Sequence, residues 1–212
     1  MGRRGDSVFD AFYATQVESL SSNVDTQHHN QVAGAALLDR IGPAILLTHS
    51  QAGPFGWLIA DVRPAQVKGI VAIEPSGPPF ENSTNATGKA RPWGPTDIPI
   101  AYAPPISHAE QLVLEQELPQ SVGLFGCWMQ KAPARQLPNL KEIPVMVMVA
   151  EASYHAVYDH CTARYLEQAG VPVDFVPLKD RGLRGNSHMV MLEKNSLDIA
   201  SLIDQWIVKT VR

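Results

Sequence analysis

Ser50 stands where a short apolar run meets a turn, in Leu46-Leu47-Thr48-His49-Ser50-Gln51-Ala52-Gly53. A buried strand that runs straight into a helix with a serine at the corner strains the serine backbone. It also lifts the hydroxyl above the end of the sheet, where it can act as a nucleophile. The positions two before and two after such a serine must be small. Here they are Thr48 and Ala52, so the G-x-S-x-G rule is broken twice. An ordinary serine N-cap would look the same locally. Two further residue types are needed, an acid and an imidazole. Glu74 directly follows the apolar run Ile70–Ile73, and a carboxylate at a strand end can hold an imidazole in one tautomer. A salt-bridged strand-end acid is the plainer alternative. His188 sits in Arg181-Gly182-Leu183-Arg184-Gly185-Asn186-Ser187-His188-Met189, a loop with two glycines. A histidine that titrates near neutrality can take a serine proton and return it to a leaving group. The other histidines have weaker cases, and His49 is expected to point away from the serine.

Elements that would position these residues follow from the apolar pattern. Ala44–Thr48, Ile70–Ile73, Pro144–Ala150 and Val173–Val176 are short apolar runs of the kind that form buried parallel strands. Helices are expected between them, over Gln31–Ile41, Gln51–Val62 and His155–Ala169. The helix over His155–Ala169 turns Tyr158, Cys161, Tyr165 and Leu166 inward. A last helix is capped by Asn195 and buries Ile199, Ala200, Ile203, Trp206 and Ile207. Strands alternating with helices imply an α/β fold whose mostly parallel sheet, of about four core strands, is covered on both faces. Ser50 and Glu74 would then emerge at the same edge, where open parallel sheets meet their ligands. The polar stretch Ser7–Asn30 reads as irregular. The interval 75–143 reads as a lid or cap insertion, because Pro75–Pro144 holds 12 of the 17 prolines and so cannot be regular sheet. Its one helical stretch is expected at Ser107–Glu117.

The chain of 212 residues is enough for one domain, with 45% hydrophobic and 18% charged residues and a formal net charge of −4. No basic block suggests nucleic acid, and no run is long enough to span a membrane. No signal peptide is read at the start, so the compartment defaults to the cytoplasm. No metal-like spacing is present, and no cofactor is expected. Cys127 and Cys161 are expected to be reduced thiols. Asn82-Ser83-Thr84 and Asn85-Ala86-Thr87 are glycosylation sequons that read as chance matches in a polar loop.

The stretches THSQAGPFGW, IVAIEPSGPPF, PWGPTDIPIAY, VMVAEASYH and GNSHMVMLEKN resemble the bacterial and fungal α/β-hydrolase serine esterases related to esterase 713. The likeness covers nearly the whole chain and keeps the order serine, acid, histidine. It implies a Ser50–His188–Glu74 triad, an acyl-enzyme and a small-molecule ester substrate. It also implies an oxyanion donor at the Gln51 backbone N–H. Many α/β-hydrolases place the acid one strand later, which here is Glu151. Trp57, Trp93, Trp128 and Tyr154 are expected around the substrate.

In this family the nucleophile strand is the fifth of eight, yet only 49 residues precede Ser50. The resemblance therefore implies a truncated α/β-hydrolase fold without its first strands or its second oxyanion donor. Losing one such donor lowers rate by roughly 10²–10³. Strand 44–48 would become an apolar edge open to self-association. A catalytically impaired fragment or paralogue with a binding or regulatory role is the alternative to an active esterase.

Overall fold

The computed structural model describes residues 3–82 and 88–211. Its centre is a four-stranded parallel sheet in the order β1-β2-β5-β6. The strands are β1 (Ala44–His49), β2 (Val67–Ile73), β5 (Val145–Val149) and β6 (Val173–Pro177). The register places His49 opposite Ile73, Ile73 opposite Met148, and Val149 opposite Pro177. The strands therefore end together, and the loops that follow β1, β2 and β5 open on one rim.

Alternation within the strands divides the core in two, because successive side chains point to opposite faces. Ile70, Ala72, Val145 and Val147 face α3 (Gly53–Val62) and α4 (Asp159–Gln168). Val71, Ile73, Met146 and Met148 face α5 (Ser196–Thr210). The inward face of α5 is Ile199, Ile203 and Trp206, flanked by Leu202 and Ile207. Ala200, expected inside, is exposed. Asn195 precedes α5 without capping it, because its side chain pairs instead with Asn186, at 2.7 and 3.1 Å.

The polar N-terminal stretch is helical, contrary to expectation. It forms α1 (Ser7–Ala14) and the first eight residues of α2 (Asn23–Ile41), whose remainder covers the expected helix. Caps rather than an apolar stripe start both helices. The Asp6 carboxylate accepts from the Val8 and Phe9 N–H groups, and Ser22 Oγ accepts from Asp25 N–H. α2 buries only Gln27, Ala35 and Leu38. It packs on α3 at Gly34, where an added Cβ would lie 2.3 Å from Ile59 Cδ1.

Segment 75–143 is largely irregular, and its Ile98, Ile100, Leu112, Met129, Leu137 and Leu140 join the larger core cluster. The helix expected at Ser107–Glu117 is absent. Gln111 Oε1 turns back to accept from the N–H groups of Ser107 and His108, and only a 3₁₀ turn forms, Ala109–Gln111. β3 (Leu114–Gln116) then pairs antiparallel with β4 (Trp128–Gln130). Tertiary pairing overrides the local helical pattern here. The two cysteines are not free thiols. Cys127 and Cys161 form a disulfide that ties the segment to α4, since the fold brings their Cα atoms to 5.1 Å. The second sequon and most of the first lie outside the described residues. Among those described, no helix is long and apolar enough to cross a membrane.

Among the described residues, β1 has a partner on one side only, and Leu47 on it is 60% exposed. Val32, Leu37 and Ile41 of α2 are exposed beside it in sequence.

Candidate active site

β1 ends at His49, a 3₁₀ turn takes Ser50–Ala52, and α3 begins at Gly53. Ser50 is held at φ 55°, a conformation that side chains rarely adopt, at a strain of about 1–3 kcal/mol. The close approach that forces this turn falls on Gly53 and Gly56 rather than on the two positions flanking the serine. A Cβ on Gly53 would sit 2.4 Å from Pro75 Cβ, and one on Gly56 would sit 3.3 Å from Thr48 Cγ2. Thr48 and Ala52 are tolerated because these glycines supply the room. The Gln51 N–H lies in the first turn after the strand, where such groups have no acceptor within the helix.

Glu74 also has positive φ, 45°, directly after β2, and its side chain is fully buried. Its Oε1 accepts the Ala150 N–H at 2.8 Å, and its Oε2 accepts Ser153 Oγ–H at 2.7 Å. Oε2 also lies 2.5 Å from His188 Nδ1, and His188 Nε2 lies 2.9 Å from Ser50 Oγ. The structure thus brings Ser50, His188 and Glu74 into one hydrogen-bonded row. Ser50 follows β1, Glu74 follows β2 and His188 lies between β6 and α5, so all three meet at one rim of the sheet. Glu151 is elsewhere: it pairs with Arg184 Nη1 at 3.1 Å and accepts the Gly185 N–H at 3.1 Å, which anchors the histidine loop from outside. The Asn186–Asn195 pair and the Ala152 N–H donated to Asn186 O hold the same loop.

Several residues around this row were not legible as part of a site. His49, expected to point away, donates from Nε2 to the His188 carbonyl at 2.9 Å, and its ring lies 4.5 Å from the His188 ring. Burial holds its imidazole below the ordinary histidine value. His155 stacks on His188 with centroids 4.8 Å apart and planes 7° apart. Its Nδ1 is 2.8 Å from Asp159 Oδ1, and both side chains are buried. Burial, with His188, His49 and Arg91 nearby, pushes His155 down to about 3. Burial drives the Asp159 carboxyl well up. The four-residue spacing of His155 and Asp159 was the one available signal, and it gains meaning only once the fold sets it against His188.

Tyr154 lies beside the Ser50–His188 pair. Its ring is 4.9 Å from His188, its hydroxyl faces Ser50, and burial raises its pKa, so it remains a donor. Trp57 does not: it is fully buried on α3 in the sheet core, because the helix face that carries it packs on the strands. Trp93 packs against the same core, and its carbonyl accepts the Tyr102 hydroxyl. Trp128 donates to Glu81 and lines a cavity of about 720 Å³ in segment 75–143, with Phe80, Lys89, Leu112 and Leu114.

Donor atoms of Glu74, His155 and His188 lie within 4.8 Å of one another. The two imidazoles are nearly parallel, so their in-plane lone pairs do not converge on one point, as a metal would require. His160 lies beside Cys127 and Cys161, whose sulfurs are spent in the disulfide.

No protein-family model matches the chain. A probable secreted lipase, phiG, of a fungal species (strain ATCC 74256) is 49% identical over 209 residues, 98% of this chain and 57% of its own length. The atomic-resolution structure of a novel bacterial esterase aligns over 84% of this chain and 42% of its own, with TM-score 0.51 and 22% identity. The pyrethroid hydrolase PytH aligns over 85% of this chain and 76% of its own, with TM-score 0.46 and 17% identity. The chain thus spans about half the length of the curated relative and of the esterase. It has the α/β-hydrolase fold over the part it spans, with four parallel strands flanked by helices.

Proposed function

We propose that this chain is a serine hydrolase acting on carboxylic esters. Ser50 attacks the ester carbonyl. His188 takes the hydroxyl proton at Nε2 and returns it to the leaving alcohol. Glu74 holds the Nδ1–H and stabilises the imidazolium. An acyl-enzyme forms on Ser50, and water activated by His188 releases the acid. The observation that carries this reading is the unbroken row Ser50 Oγ–His188–Glu74, set at a strained strand-to-helix corner. Glu74 is favoured over Glu151 as the acid because Glu151 is engaged with Arg184.

The oxyanion needs two donors. The Gln51 N–H supplies one, and we assign the Tyr154 hydroxyl as a second among the described residues. The name of the fungal relative, a probable secreted lipase, supports the ester class and an oxidising compartment. The Cys127–Cys161 disulfide fits that compartment. A second reading, a binding or regulatory role with weak turnover, draws on β1 standing as the sheet edge. That edge is also proposed to pair with a second copy of the chain. Sedimentation at micromolar concentration should then show dimers or larger species, and a monomer would refute the pairing.

A fluorophosphonate probe separates enzyme from binding protein. Stoichiometric labelling mapped to Ser50, and lost in Ser50→Ala, is the expected result. Folded chain that takes up no label would overturn the reading.

A further inference from the structure

An imidazole that meets a carboxylate with one nitrogen and a hydroxyl with the other must keep one ring plane. Two hydrogen bonds at its ends still let the ring tilt about the line that joins them. In this molecule the His188 ring lies flat against His155, with centroids 4.8 Å and planes 7° apart. His155 is itself immobile. Its side chain is 2% exposed, and its Nδ1 meets Asp159 Oδ1 at 2.8 Å on the first turn of α4. Its backbone N–H donates to Ser153 Oγ, whose hydroxyl donates to Glu74 Oε2. One bonded network therefore fixes both the acid that orients His188 and the ring that lies along it.

We propose that His155, braced by Asp159, is a positioning residue that holds the His188 imidazole in the plane joining Glu74 to Ser50. The inference rests on the Ser50–His188–Glu74 reading. A flat ring does the work, and the carboxyl of Asp159 serves to seat that ring in the core. Because burial keeps His155 uncharged, it sets no cation against a His188 that must itself become one.

Two double variants of the full chain test this: His155→Ala with Asp159→Leu, and His155→Phe with Asp159→Leu. The readouts are kcat and KM on a p-nitrophenyl ester, and the far-downfield proton NMR signal of the His188 Nδ1–H bonded to Glu74. The alanine pair should lower kcat by about 10- to 100-fold, as misplaced catalytic groups do. It should leave KM nearly unchanged and broaden the signal away. The phenylalanine pair should restore both. Should the alanine pair fail to fold, His155→Leu with Asp159→Leu fills the space without a flat ring, and the same losses are expected. Wild-type kcat and signal in a folded variant that lacks the ring would overturn the proposal. So would a folded phenylalanine pair that restores neither. If the wild-type chain neither hydrolyses ester nor takes phosphonate, the esterase reading fails by itself. The NMR signal then decides: persistence without the flat ring overturns the positioning role, and loss with restoration by phenylalanine supports it.

Discussion

Two acid–imidazole pairs lie side by side under the rim of the sheet, Glu74 with His188 and Asp159 with His155. The Glu74 carboxylate accepts three hydrogen bonds, from Ala150, Ser153 and His188. Asp159 meets His155 through Oδ1, and its buried Oδ2 has no partner among the described residues. The His188 side chain is 19% exposed and reaches Ser50, whereas that of His155 is 2% exposed and reaches only Asp159 among carboxylates within bonding distance. With like residue types, the number of donors around the acid and an outlet toward solvent separate a pair suited to moving a proton from one suited to holding a shape.

The comparison breaks most visibly by neutralising one acid at a time. Glu74→Gln should lower kcat/KM by about 10⁴, the effect of placing the base in the wrong tautomer. Asp159→Asn should lower it far less, because an amide still bonds to His155 Nδ1. Steady-state kinetics on one ester would show whether the two acids differ in this way, and equal losses would erase the distinction.

A second perturbation reaches the shape-holding pair through its support. The Cys127–Cys161 bridge closes a separation of 34 residues and anchors α4, which carries Asp159. Replacing both cysteines with alanine should remove about 2–4 kcal/mol of stability, as read by urea unfolding. Phosphonate labelling of the folded fraction should persist, since Glu74 and Ser50 follow strands that the bridge does not touch.

Acid sharpens the picture by a smaller amount. Burial holds His49 below its ordinary value of 6.5, so the unfolded chain binds this proton first as pH falls. The stabilisation from a neutral His49 is full above pH 6.5 and is lost as pH drops from there toward the lowered folded value. The Tm difference between wild type and His49→Gln should therefore shrink from pH 7.5 to pH 5.5. A difference that grows on acidification would contradict the assignment.

The smallest effect is expected at Glu151. Its pair with Arg184 lies at the surface, where such contacts contribute about 0–1 kcal/mol. Glu151→Gln should leave kcat near wild type and change Tm little.

Much of this geometry could be read ahead of the structure, and the reasons are local. Ile70–Ile73 and Val145–Val149 are unbroken apolar runs that form buried strands, whereas Ala44–Thr48, expected to be buried, forms the edge strand with Leu47 exposed; Ser50 and Glu74 directly follow β1 and β2. What escaped notice depended on distant partners or on capping. α1 buries no residue, and residues 23–30 of α2 are mostly polar, so the Asp6 and Ser22 caps start these helices where no buried apolar face does, while only residues 31–41 of α2 carry a helical period. Residues 107–117 have a helical pattern, but β4 recruits Leu114–Gln116 as a strand. Trp57 belongs to the same helix face that packs on the sheet, so its burial follows from the site's own scaffold. Two cysteines carry no pairing information, and His155 has no visible role until the chain folds it onto a histidine 33 positions later.

The most direct test of the central claim is to trap the covalent intermediate. Rapid-quench mixing with a p-nitrophenyl ester, followed by peptide mass analysis, should show a burst of nitrophenol and an acyl group on the Ser50 peptide. Turnover with no burst, no Ser50 adduct and no sensitivity to Ser50→Ala would contradict it.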